Sequence, residues 1–424
     1  RQDESYCWCP EDYKVQVSFD LQGTQFTPNE YKPYSQKWED VDKQLLKPEN
    51  TQFGEHLSLT NPFRPETKQA YNSEMNFEEK IICAFQVLKK KMAWNGRYQL
   101  YSKELEKVIK KGSGSNADLN FILISILKDF GLEAYPVVMS RRSSGMLPYN
   151  FPSLQKLNTF FVAIHDINKQ KYVFLDSSMD VPAFNILPLE LSVNKARMLS
   201  LKEKEEKKWV NVMALSHNKS FMKIDARIEG NQVKGHRSTV LYGQEAIEYQ
   251  ANENHKQDNL VSNPENKVSQ KEKLTVTNLK VKKQENDWAL IEEEFDFVLQ
   301  ADRTDDHLYI NPMLFPQLKS NPFIQTERVL PIEFPYPYKF TMLSTLTLPE
   351  GYEVEELPQS QSIRSEGDGL QCKYMIQQQG NTILLNYVFH LKGYIFLSEQ
   401  YKQLQELWAK VIEKNNALIV LKKI

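Results

Sequence analysis

Apolar residues recur every three or four positions in the segment that follows Asn76. They are Phe77, Ile81, Phe85, Leu88 and Met92. This spacing predicts an amphipathic helix that is capped by Asn76 and ends at Gly96. A second, shorter helix is predicted after Ser102, where the sequence "KELEKVIKK" is followed by Gly112.

A third helix is predicted to begin near Ser115 or Asn116 and to end at Gly131. Its apolar residues cover almost the whole circumference: Leu119, Phe121, Ile122, Leu123, Ile124, Ile126, Leu127 and Phe130. A helix that is apolar on nearly every side is buried. We therefore expect this segment to be the core helix of its domain.

Three strands are predicted next, at residues 134–139, 159–165 and 171–176. The short polar turn "DINKQ" separates the last two strands, which favours an antiparallel hairpin. A cluster of helices followed by an antiparallel sheet gives an α+β arrangement.

The second half of the chain is predicted to be rich in β-structure. The mixed charge run at 201–210 is interpreted as a solvated face, and the polar segment 251–273 as a mobile excursion. The strand candidates are "RSTVLYG", "KLTVTNLKV", "WALIEEEFDFVL", "HLYINP", "KFTMLSTLTL" and "NTILLNYVFHL". An amphipathic helix from Ser398 to about Asn415 and the strand "ALIVLKK" end the chain. This half is therefore expected to form a β-sandwich-like domain with a terminal helix.

The first 60 residues contain one alternating stretch, from Tyr13 to Leu21, and are otherwise polar and irregular. This pattern predicts the last strand of an upstream β-domain, followed by the linker "NPFRPETKQ" at 61–69. Since 424 residues exceed one core of ordinary size, we expect domains at 1–60, 61–215 and 216–424. The chain begins at Arg1 without an apolar signal core, so we expect a processed chain or a fragment of a longer one.

Charge and cysteine content exclude several classes of partner and cofactor. The 53 basic and 55 acidic residues nearly cancel, so no nucleic-acid partner is expected. No apolar run approaches the roughly 20 residues of a membrane-spanning helix, so no transmembrane segment is expected. Four cysteines are too few for a disulfide framework. Cys7 and Cys9 are followed by no second Cys or His pair with ligand spacing, so neither a metal nor another cofactor is predicted, and the role of these thiols stays open.

The order of elements from Phe77 to Asp176 resembles the transglutaminase-like core, the papain-related fold of transglutaminases and many bacterial cysteine proteases. In that family a helix begins at G-x-C-x-D, F-N-H leads a strand, and an aromatic-L-D sequence ends the next strand. The corresponding runs here are "GSNAD" (114–118), "LNT" (157–159) and "VFLD" (173–176). The stretches "GLEAYPVVMSRR" and "LPEGYEVEELP" are similar to exported multidomain proteins of Bacteroidetes, in which β-domains flank this core. The resemblance implies an exported protein, periplasmic or at the cell surface.

Carried over to this chain, the catalytic Cys, His and Asp positions of the family are occupied by Asn116, Thr159 and Asp176. An amide is no nucleophile at neutral pH, and a threonine hydroxyl does not exchange a proton near neutrality. Thiol chemistry is therefore expected to be lost. Asn116 is expected to cap its helix, and Asp176 to cap the following turn or to pair with a polar neighbour.

The residues beside these positions are expected to line a cleft: Trp94, Ser115, Asp118 and Asn158. Ser115 is interpreted as a helix cap, because the nearest candidate base by sequence, His165, lies about 20 Å further along its strand. Asp118 is expected to complement the helix dipole. Cys83 lies in an apolar helical pattern and is interpreted as an inert thiol.

Three functional hypotheses follow. The leading one is a catalytically inactive transglutaminase-like protein that binds or scaffolds an unknown peptide, protein or glycan. The second is an active cysteine-type or serine-type peptidase or acyltransferase whose nucleophile is displaced to Ser115 or Cys83. The third is an adhesin-like structural module in which the β-domains carry the activity.

Overall fold

The computed structural model describes residues 4–15, 23–28, 30–33, 37–49, 51–102, 104–150, 152–215, 217–258, 274–284 and 287–424. The chain divides into an N-terminal unit, Trp8–Ser216, and a C-terminal unit, His217–Ile424, to which the residues up to Cys7 also belong. Both units mix helices and sheets. Within the described part of the chain, none of the helices combines the length and the apolar character that a bilayer crossing requires.

The N-terminal unit contains helices on one side of a sheet. Its helices are α1 (Trp38–Leu46), α2 (Gln52–Leu57), α3 (Arg64–Ala70), α4 (Phe77–Lys91), α5 (Leu105–Lys111), α6 (Asn116–Asp129) and α7 (Glu205–Lys208). Its strands are β1 (Gly23–Thr27), β2 (Glu30–Pro33), β3 (Ala93–Trp94), β4 (Ser113–Gly114), β5 (Glu133–Met139), β6 (Thr159–Asp166), β7 (Lys171–Leu175), β8 (Ala196–Met198) and β9 (Trp209–Val210).

The three helices predicted around the opening of the core are confirmed, although α4 ends at Lys91 and not at Gly96, because Ala93 and Trp94 form β3. Asn76 caps α4 by accepting the Glu79 backbone N–H at 3.0 Å, in a reciprocal capping box. Helix α5 ends at Gly112, whose φ of 71° is the left-handed conformation that favours glycine. Every residue of α6 from Asn116 to Leu127 is buried, as its apolar pattern predicts.

The strands of the core also agree with their predicted positions. Among the described residues they form a five-stranded sheet in the order β7-β6-β5-β8-β9, in which the predicted β6–β7 hairpin is antiparallel. One face of the sheet shares a hydrophobic core with α4 and α6. Because Leu175 at the end of β7 pairs with Val162, Asp176 emerges beside the first residues of β6.

The first 60 residues are more regular than their polar composition suggests. Tyr13, the start of the predicted strand, ends a short 3-10 helix (Pro10–Tyr13), and most of that strand, 16–22, lies outside the described residues. The stretch expected to be irregular forms α1 and α2, whose residues Val41, Leu45 and Phe53 are buried in the same core as α6. The predicted linker 61–69 contains most of α3, which begins with Pro65 in its first turn.

The charge run at 201–210 is not simply a solvated face. Lys208 is buried and its Nζ donates to Asp42 Oδ2 at 3.0 Å. Glu205 accepts from the guanidinium of Arg197, which is fully buried and also binds Asp42. The run therefore supplies two members of an internal ion-pair network, and the prediction was wrong because charged side chains can be buried when they pair.

The C-terminal unit is built mainly from strands. Its strands are β10 (Asn218–Glu229), β11 (Gln232–Tyr242), β12 (Leu274–Gln284), β13 (Asp287–Gln300), β14 (Asp302–Thr304), β15 (His307–Ile310), β16 (Ile332–Glu333), β17 (Tyr338–Thr347), β18 (Tyr352–Glu356), β19 (Gln361–Arg364), β20 (Leu370–Gln379), β21 (Thr382–Leu391), β22 (Ile395–Phe396) and β23 (Ile419–Lys423). Its helices are α8 (Gln244–Asp258) and α9 (Tyr401–Asn415).

Two larger sheets share the core of this unit. The described strands form an eight-stranded sheet, β12-β13-β11-β10-β17-β21-β20-β19, in which only the pairing of β10 with β17 is parallel. A four-stranded sheet has the order β14-β15-β23-β18. The predicted terminal helix is confirmed as α9, whose Trp408 packs on Phe389 of β21 with ring centroids 5.5 Å apart. The larger sheet is thus faced by a helix as well as by the smaller sheet.

Two expectations for this half differ from the structure. Residues 251–258, expected to be mobile, continue α8, which is joined to β13 by a hydrogen bond from Gln250 Nε2 to the Trp288 carbonyl at 2.6 Å. The rest of that segment, 259–273, lies outside the described residues. Strand β10 is absent from the predicted strands, although its buried and exposed residues alternate along nearly its whole length.

Candidate functional site

The candidate site lies where the start of α6, the start of β6 and the end of β7 meet. Asn116 is the first residue of α6, Thr159 the first residue of β6, and Asp176 the residue that follows β7. These positions are separated by 43 and 60 residues from Asn116 in the sequence, yet their side chains are joined by hydrogen bonds. The structure therefore brings together the three positions that the family resemblance singled out.

Ser115, and not Asn116, caps helix α6. The Ser115 hydroxyl accepts the Asp118 backbone N–H at 3.3 Å, while the Asp118 carboxylate accepts both the Ser115 backbone N–H and its hydroxyl at 2.7 Å. This capping box satisfies the backbone N–H groups of Ser115 and Asp118 at the helix start. It leaves the Asn116 side chain free to turn inward, so the cap predicted at Ser115 is confirmed and the capping role expected for Asn116 is wrong.

Gly114 permits this tight entry into the helix. A Cβ atom at this position would lie 2.5 Å from Cγ1 of Val108 and 2.8 Å from Cβ of Asp118. No side chain fits between these neighbours without displacing them. The glycine before the cap is thus required by close packing.

The Asn116 side chain is a hydrogen-bond hub. Its Nδ2 donates to Thr159 Oγ1 at 2.8 Å and to the Phe160 carbonyl at 3.0 Å, and lies 3.4 Å from Asp176 Oδ2. Its Oδ1 accepts the Gln99 backbone N–H at 3.0 Å. Asn116 and Thr159 are completely buried, so the amide fills the space between the other two positions.

Asp176 is held by donors from two directions. Its Oδ2 accepts from Asn120 Nδ2 at 2.9 Å, and its Oδ1 accepts the Ser178 backbone N–H at 2.9 Å and the Ser178 hydroxyl. Asn120 lies one helical turn after Asn116 and also receives the Ser177 N–H at 3.0 Å. Asp176 therefore both caps the turn that follows β7 and pairs with polar neighbours.

Burial dominates the electrostatics of the site. It raises the pKa of the Asp176 carboxyl, although hydrogen bonds from Ser178, Asn120 and Asn116 act in the opposite direction. Burial, followed by the charge of Asp176, also raises the pKa of Tyr98, whose hydroxyl lies 3.3 Å from Ser178 Oγ. Burial lowers the pKa of Lys89, while the charges of Asp180 and Asp176 oppose this shift. The acidic group of the site thus favours its neutral form more than an exposed aspartate does.

The four residues expected to line a cleft differ in their exposure. Ser115 and Asp118 are buried in the capping box, whereas Trp94 and Asn158 are half-buried. Trp94 packs on Tyr98 with ring centroids 5.2 Å apart, and Arg141 lies 5.9 Å from the Tyr98 ring. Asn158 in turn accepts the Arg141 backbone N–H at 3.0 Å. Trp94 and Asn158 are therefore linked through Tyr98 and Arg141 into one partly exposed surface.

Neither candidate nucleophile, Ser115 or Cys83, hydrogen-bonds to a histidine within the part of the chain that the structure describes. The Ser115 hydroxyl donates to Asp118, and no histidine within the described residues hydrogen-bonds to Ser115, Asn116 or Thr159. His165 lies at the far end of β6, where its ring stacks on Tyr172 with centroids 4.8 Å apart. The Cys83 thiol contacts the Ala70 carbonyl at 3.6 Å and its pKa is raised by burial, which disfavours a thiolate.

Two residues near the site were not anticipated from the sequence. Asn120 is a polar residue in the middle of an almost continuous apolar helix, which is a recognisable signal for a buried hydrogen-bond site. His56 of α2 packs on Phe121 with ring centroids 5.2 Å apart, and burial lowers the pKa of its imidazole. The position of His56 depends on how α2 folds against α6, which local sequence does not specify.

The described residues contain no group of three or more His, Cys, Asp or Glu side chains that could hold a metal ion. No disulfide joins the cysteines, and Cys7 and Cys9 are both half-buried thiols. The polar side chains at the site are buried amides, hydroxyls and the carboxyls of Asp118 and Asp176.

Comparisons with known proteins give two findings. Residues 306–421 match a domain family of unknown function, DUF3858, for which a structure has been solved. The fold is similar to the crystal structure of a "putative protease" from Parabacteroides distasonis ATCC 8503, with a TM-score of 0.50 and 12% sequence identity. The similarity covers 90% of this chain but only 57% of the length of that protein. No curated protein matches the sequence.

Proposed function

We propose that this chain is a non-catalytic member of the transglutaminase-like, papain-related group, retained for binding or scaffolding. In this proposal residues 61–215 form the transglutaminase-like core, and residues 216–424 form the β-rich domain that follows it. The observation that carries the proposal is the hydrogen bond of 2.8 Å between Asn116 and Thr159 beside Asp176. These contacts support an arrangement in which the three side chains occupy the positions of a catalytic triad. The nucleophile and the base of that triad are absent from these three positions.

The hydrogen bonding of the site supports a structural role for these residues. Asn116 Nδ2 and Oδ1 both have partners, and Asp176 accepts hydrogen bonds at both carboxylate oxygens. Introducing a reactive thiol or imidazole would break these contacts. Where the family has Cys and His, Asn116 and Thr159 thus provide hydrogen bonds that hold the start of α6 against β6, in place of reactive groups.

A binding role would use the partly exposed surface that adjoins the closed site. Trp94 and Tyr98 offer aromatic rings, while Arg141 and Asn158 offer polar groups beside them. Aromatic rings with adjacent polar groups suit either a peptide side chain or a sugar ring. The ligand class we propose is therefore a peptide, protein or glycan. An exported location, periplasmic or at the cell surface, rests on the resemblance to exported Bacteroidetes proteins.

The proposal can be tested by rebuilding the triad. In a Cys83→Ala background, Asn116→Cys alone should give a buried thiol with a raised pKa. Adding Thr159→His should lower that thiol pKa well below the ordinary value of about 8.5, because a paired imidazolium stabilises the thiolate. The thiolate is followed during a pH titration by the difference in ultraviolet absorbance between each variant and its counterpart that keeps Asn116, which cancels the contribution of the other free cysteines.

A thiol pKa that is unchanged by Thr159→His would contradict the proposed triad frame. The active-enzyme alternative is tested separately with amidase and peptidase substrates on the natural chain. Activity that disappears on Ser115→Ala or Asp176→Ala would establish a displaced nucleophile and overturn the non-catalytic proposal. Binding by the C-terminal unit alone would favour the adhesin-like alternative.

A further inference from the structure

A cavity of about 510 Å³ opens in the C-terminal unit, between strand β11, the end of β13 and the loop that follows β15. None of its lining residues belongs to the site at the head of α6. The lining residues used below are Arg237, Leu299, Leu314, Phe315, Gln317 and Lys319. Ligand-binding clefts in proteins commonly have volumes of about 300–1,000 Å³. The cavity is therefore large enough for a small organic ligand.

The guanidinium of Arg237, on β11, has donors that the protein leaves unused. Its side chain is 16% exposed and lies near two aromatic rings, 4.2 Å from the Phe295 centroid and 4.9 Å from the Phe315 centroid. Nη2 donates to Glu293, and Nε is enclosed by protein without a partner. Nη1 has no hydrogen-bond partner within the part of the chain that the structure describes, and it is not enclosed. Nη1 is therefore the guanidinium nitrogen that a ligand in the cavity can meet.

Glu293 compensates the positive charge of Arg237 only in part. Burial lowers the pKa of the guanidinium, and the charge and the hydrogen bond of Glu293 oppose this shift without reversing it. The Glu293 carboxylate also accepts the Tyr249 hydroxyl at 2.7 Å, so it is shared between two donors. Lys319 and Asp302 add one charge of each sign to the lining of the cavity. A further negative group beside Arg237 would therefore be stabilised.

The loop that forms one wall of the cavity has a strained backbone. Leu314 has a φ of 57°, in the left-handed region that residues other than glycine rarely adopt. In the same turn the Phe315 backbone N–H donates to the Met313 carbonyl at 2.6 Å. This turn places the Phe315 ring beside the guanidinium of Arg237. Backbone strain that positions a side chain in this way is typical of ligand-binding sites.

We propose that this cavity binds an organic carboxylate, which accepts a hydrogen bond from Arg237 Nη1 while the attached group packs against Phe315 and Leu299. A guanidinium is the side chain best suited to a carboxylate, because its N–H groups lie in one plane and carry a permanent charge. Gln317 is exposed and lines the cavity, so its amide can meet the other polar groups of the ligand. Two sources carry such a carboxylate, the carboxyl terminus of a peptide and an acidic sugar.

Other ligand classes fit this cavity less well. A cation has no acceptor for the N–H groups of Arg237 Nη1. The described residues contain no group of three or more side chains that could hold a metal ion. A neutral sugar has hydroxyl acceptors, but a hydrogen bond to a carboxylate is about twice as strong as one between neutral groups. The aromatic and aliphatic lining from Phe315 and Leu299 favours an organic anion over a small hydrated one.

The test is ligand-observed NMR on the full chain with two matched pairs of probes. N-acetylphenylalanine and its uncharged amide represent the carboxyl terminus of a peptide, and glucuronate and glucuronamide represent an acidic sugar. We expect at least one acid to bind and its amide to bind at least about tenfold more weakly, since the amide lacks the charge-assisted hydrogen bond. Tighter binding of N-acetylphenylalanine indicates a peptide as the source of the carboxylate, and tighter binding of glucuronate indicates a sugar. An amide that binds as tightly as its acid would contradict the proposal.

Two variants with opposite expected effects connect the binding to the cavity. Arg237→Lys should weaken binding of the acid by about ten- to a hundredfold, because the planar donor group is lost. Glu293→Gln should strengthen it by about two- to tenfold, because the competing carboxylate is removed. Damage to the fold cannot produce this second result.

The matched control is Arg364→Lys, which changes an arginine on β19 whose side chain is 60% exposed, and it should leave the affinity unchanged. Circular dichroism melting identifies any variant that fails to fold. Three results would overturn the proposal: no binding of either acid, undiminished affinity in a folded Arg237→Lys variant, or weaker binding in a folded Glu293→Gln variant.

Discussion

The Arg197 network allows a quantitative prediction for the stability of the N-terminal unit. Arg197 is completely buried and binds Asp42 through Nε at 2.7 Å and Nη2 at 2.8 Å. It also donates to Glu205 through Nη1 at 2.6 Å and Nη2 at 3.0 Å. The guanidinium lies near the rings of Trp38 and Trp209, 5.6 and 5.0 Å from their centroids. The perturbation we consider is Arg197→Met, which keeps the volume and removes the charge.

The expected loss of stability follows from the two carboxylates that lose their guanidinium partner. Asp42 is also buried and would keep only the Lys208 ammonium, at 3.0 Å, as a charged partner. Glu205 is 42% exposed at its side chain, so water can compensate for most of its loss. Removing one partner of a buried ion pair typically costs about 3–5 kcal/mol. We expect Arg197→Met to lower the free energy of unfolding of this unit by about that amount.

Urea unfolding followed by tryptophan fluorescence and circular dichroism measures this change. Two units give two transitions, so each must be fitted separately. A loss of about 3–5 kcal/mol corresponds to a midpoint lower by about 1–2 M urea for a unit of this size. Arg64→Met is the matched control in the same unit, because the Arg64 side chain is 60% exposed and lies 3.6 Å from Asp129. Exposed pairs of this kind contribute about 0–1 kcal/mol.

A double substitution separates lost charge pairing from lost packing. Asp42→Leu combined with Arg197→Met removes two of the three buried charges, and the third, Lys208, can still pair with Glu205, whose carboxylate lies 3.8 Å away. The double variant should therefore be more stable than Arg197→Met alone. The reasoning fails if Arg197→Met shifts the midpoint no more than Arg64→Met does, or if the double variant is less stable than the single one.

Three further predictions concern the head of α6 and its acidic neighbour. Gly114→Ala should destabilise the N-terminal unit by about 1–3 kcal/mol in urea, since its Cβ would overlap Val108; an unchanged midpoint would contradict the close approach. Ser115→Ala removes the helix cap and should cost about 1 kcal/mol in the same assay, with a loss below about 0.3 kcal/mol counting against the capping box. Because burial raises the folded pKa of Asp176, its contribution to stability is present below the unfolded pKa of about 3.9 and declines as pH rises through the folded pKa. The stability of the natural chain relative to Asp176→Asn should therefore fall as pH increases from about 4, and a pH-independent difference would refute this sign.

The parts of the fold that could be predicted are those whose signal is local. Helix α6 is readable from the sequence because its burial is encoded in one contiguous stretch. Capping roles were expected for both Ser115 and Asn116, because both are good capping residues, and only the cap at Ser115 is found. Asp118, three residues after Ser115, is the capping-box signal that favours Ser115. The presence of Asp118 in the sequence was thus sufficient to choose Ser115 over Asn116 as the helix cap.

Other features depend on contacts that the sequence does not place. The apolar residues Trp38, Val41 and Leu45 have helical spacing, but α1 is short and its surroundings are polar, which obscures the pattern. Arg197 and Asp42 are 155 residues apart, so no local pattern predicts that they meet.

The parallel pairing of β10 with β17 affects how the C-terminal unit folds while the chain is being synthesised. Asn218 pairs with Tyr338, roughly 120 residues later in the chain, and this pairing lies in the middle of the eight-stranded sheet. The β10–β11 hairpin can form as soon as it leaves the ribosome. The backbone groups on the other edge of β10 then stay unpaired until β17 has been synthesised. An exposed edge strand recruits other chains. Slow translation between these two strands should therefore favour aggregation, and expression yield should depend on chaperones that shield β10 during that interval.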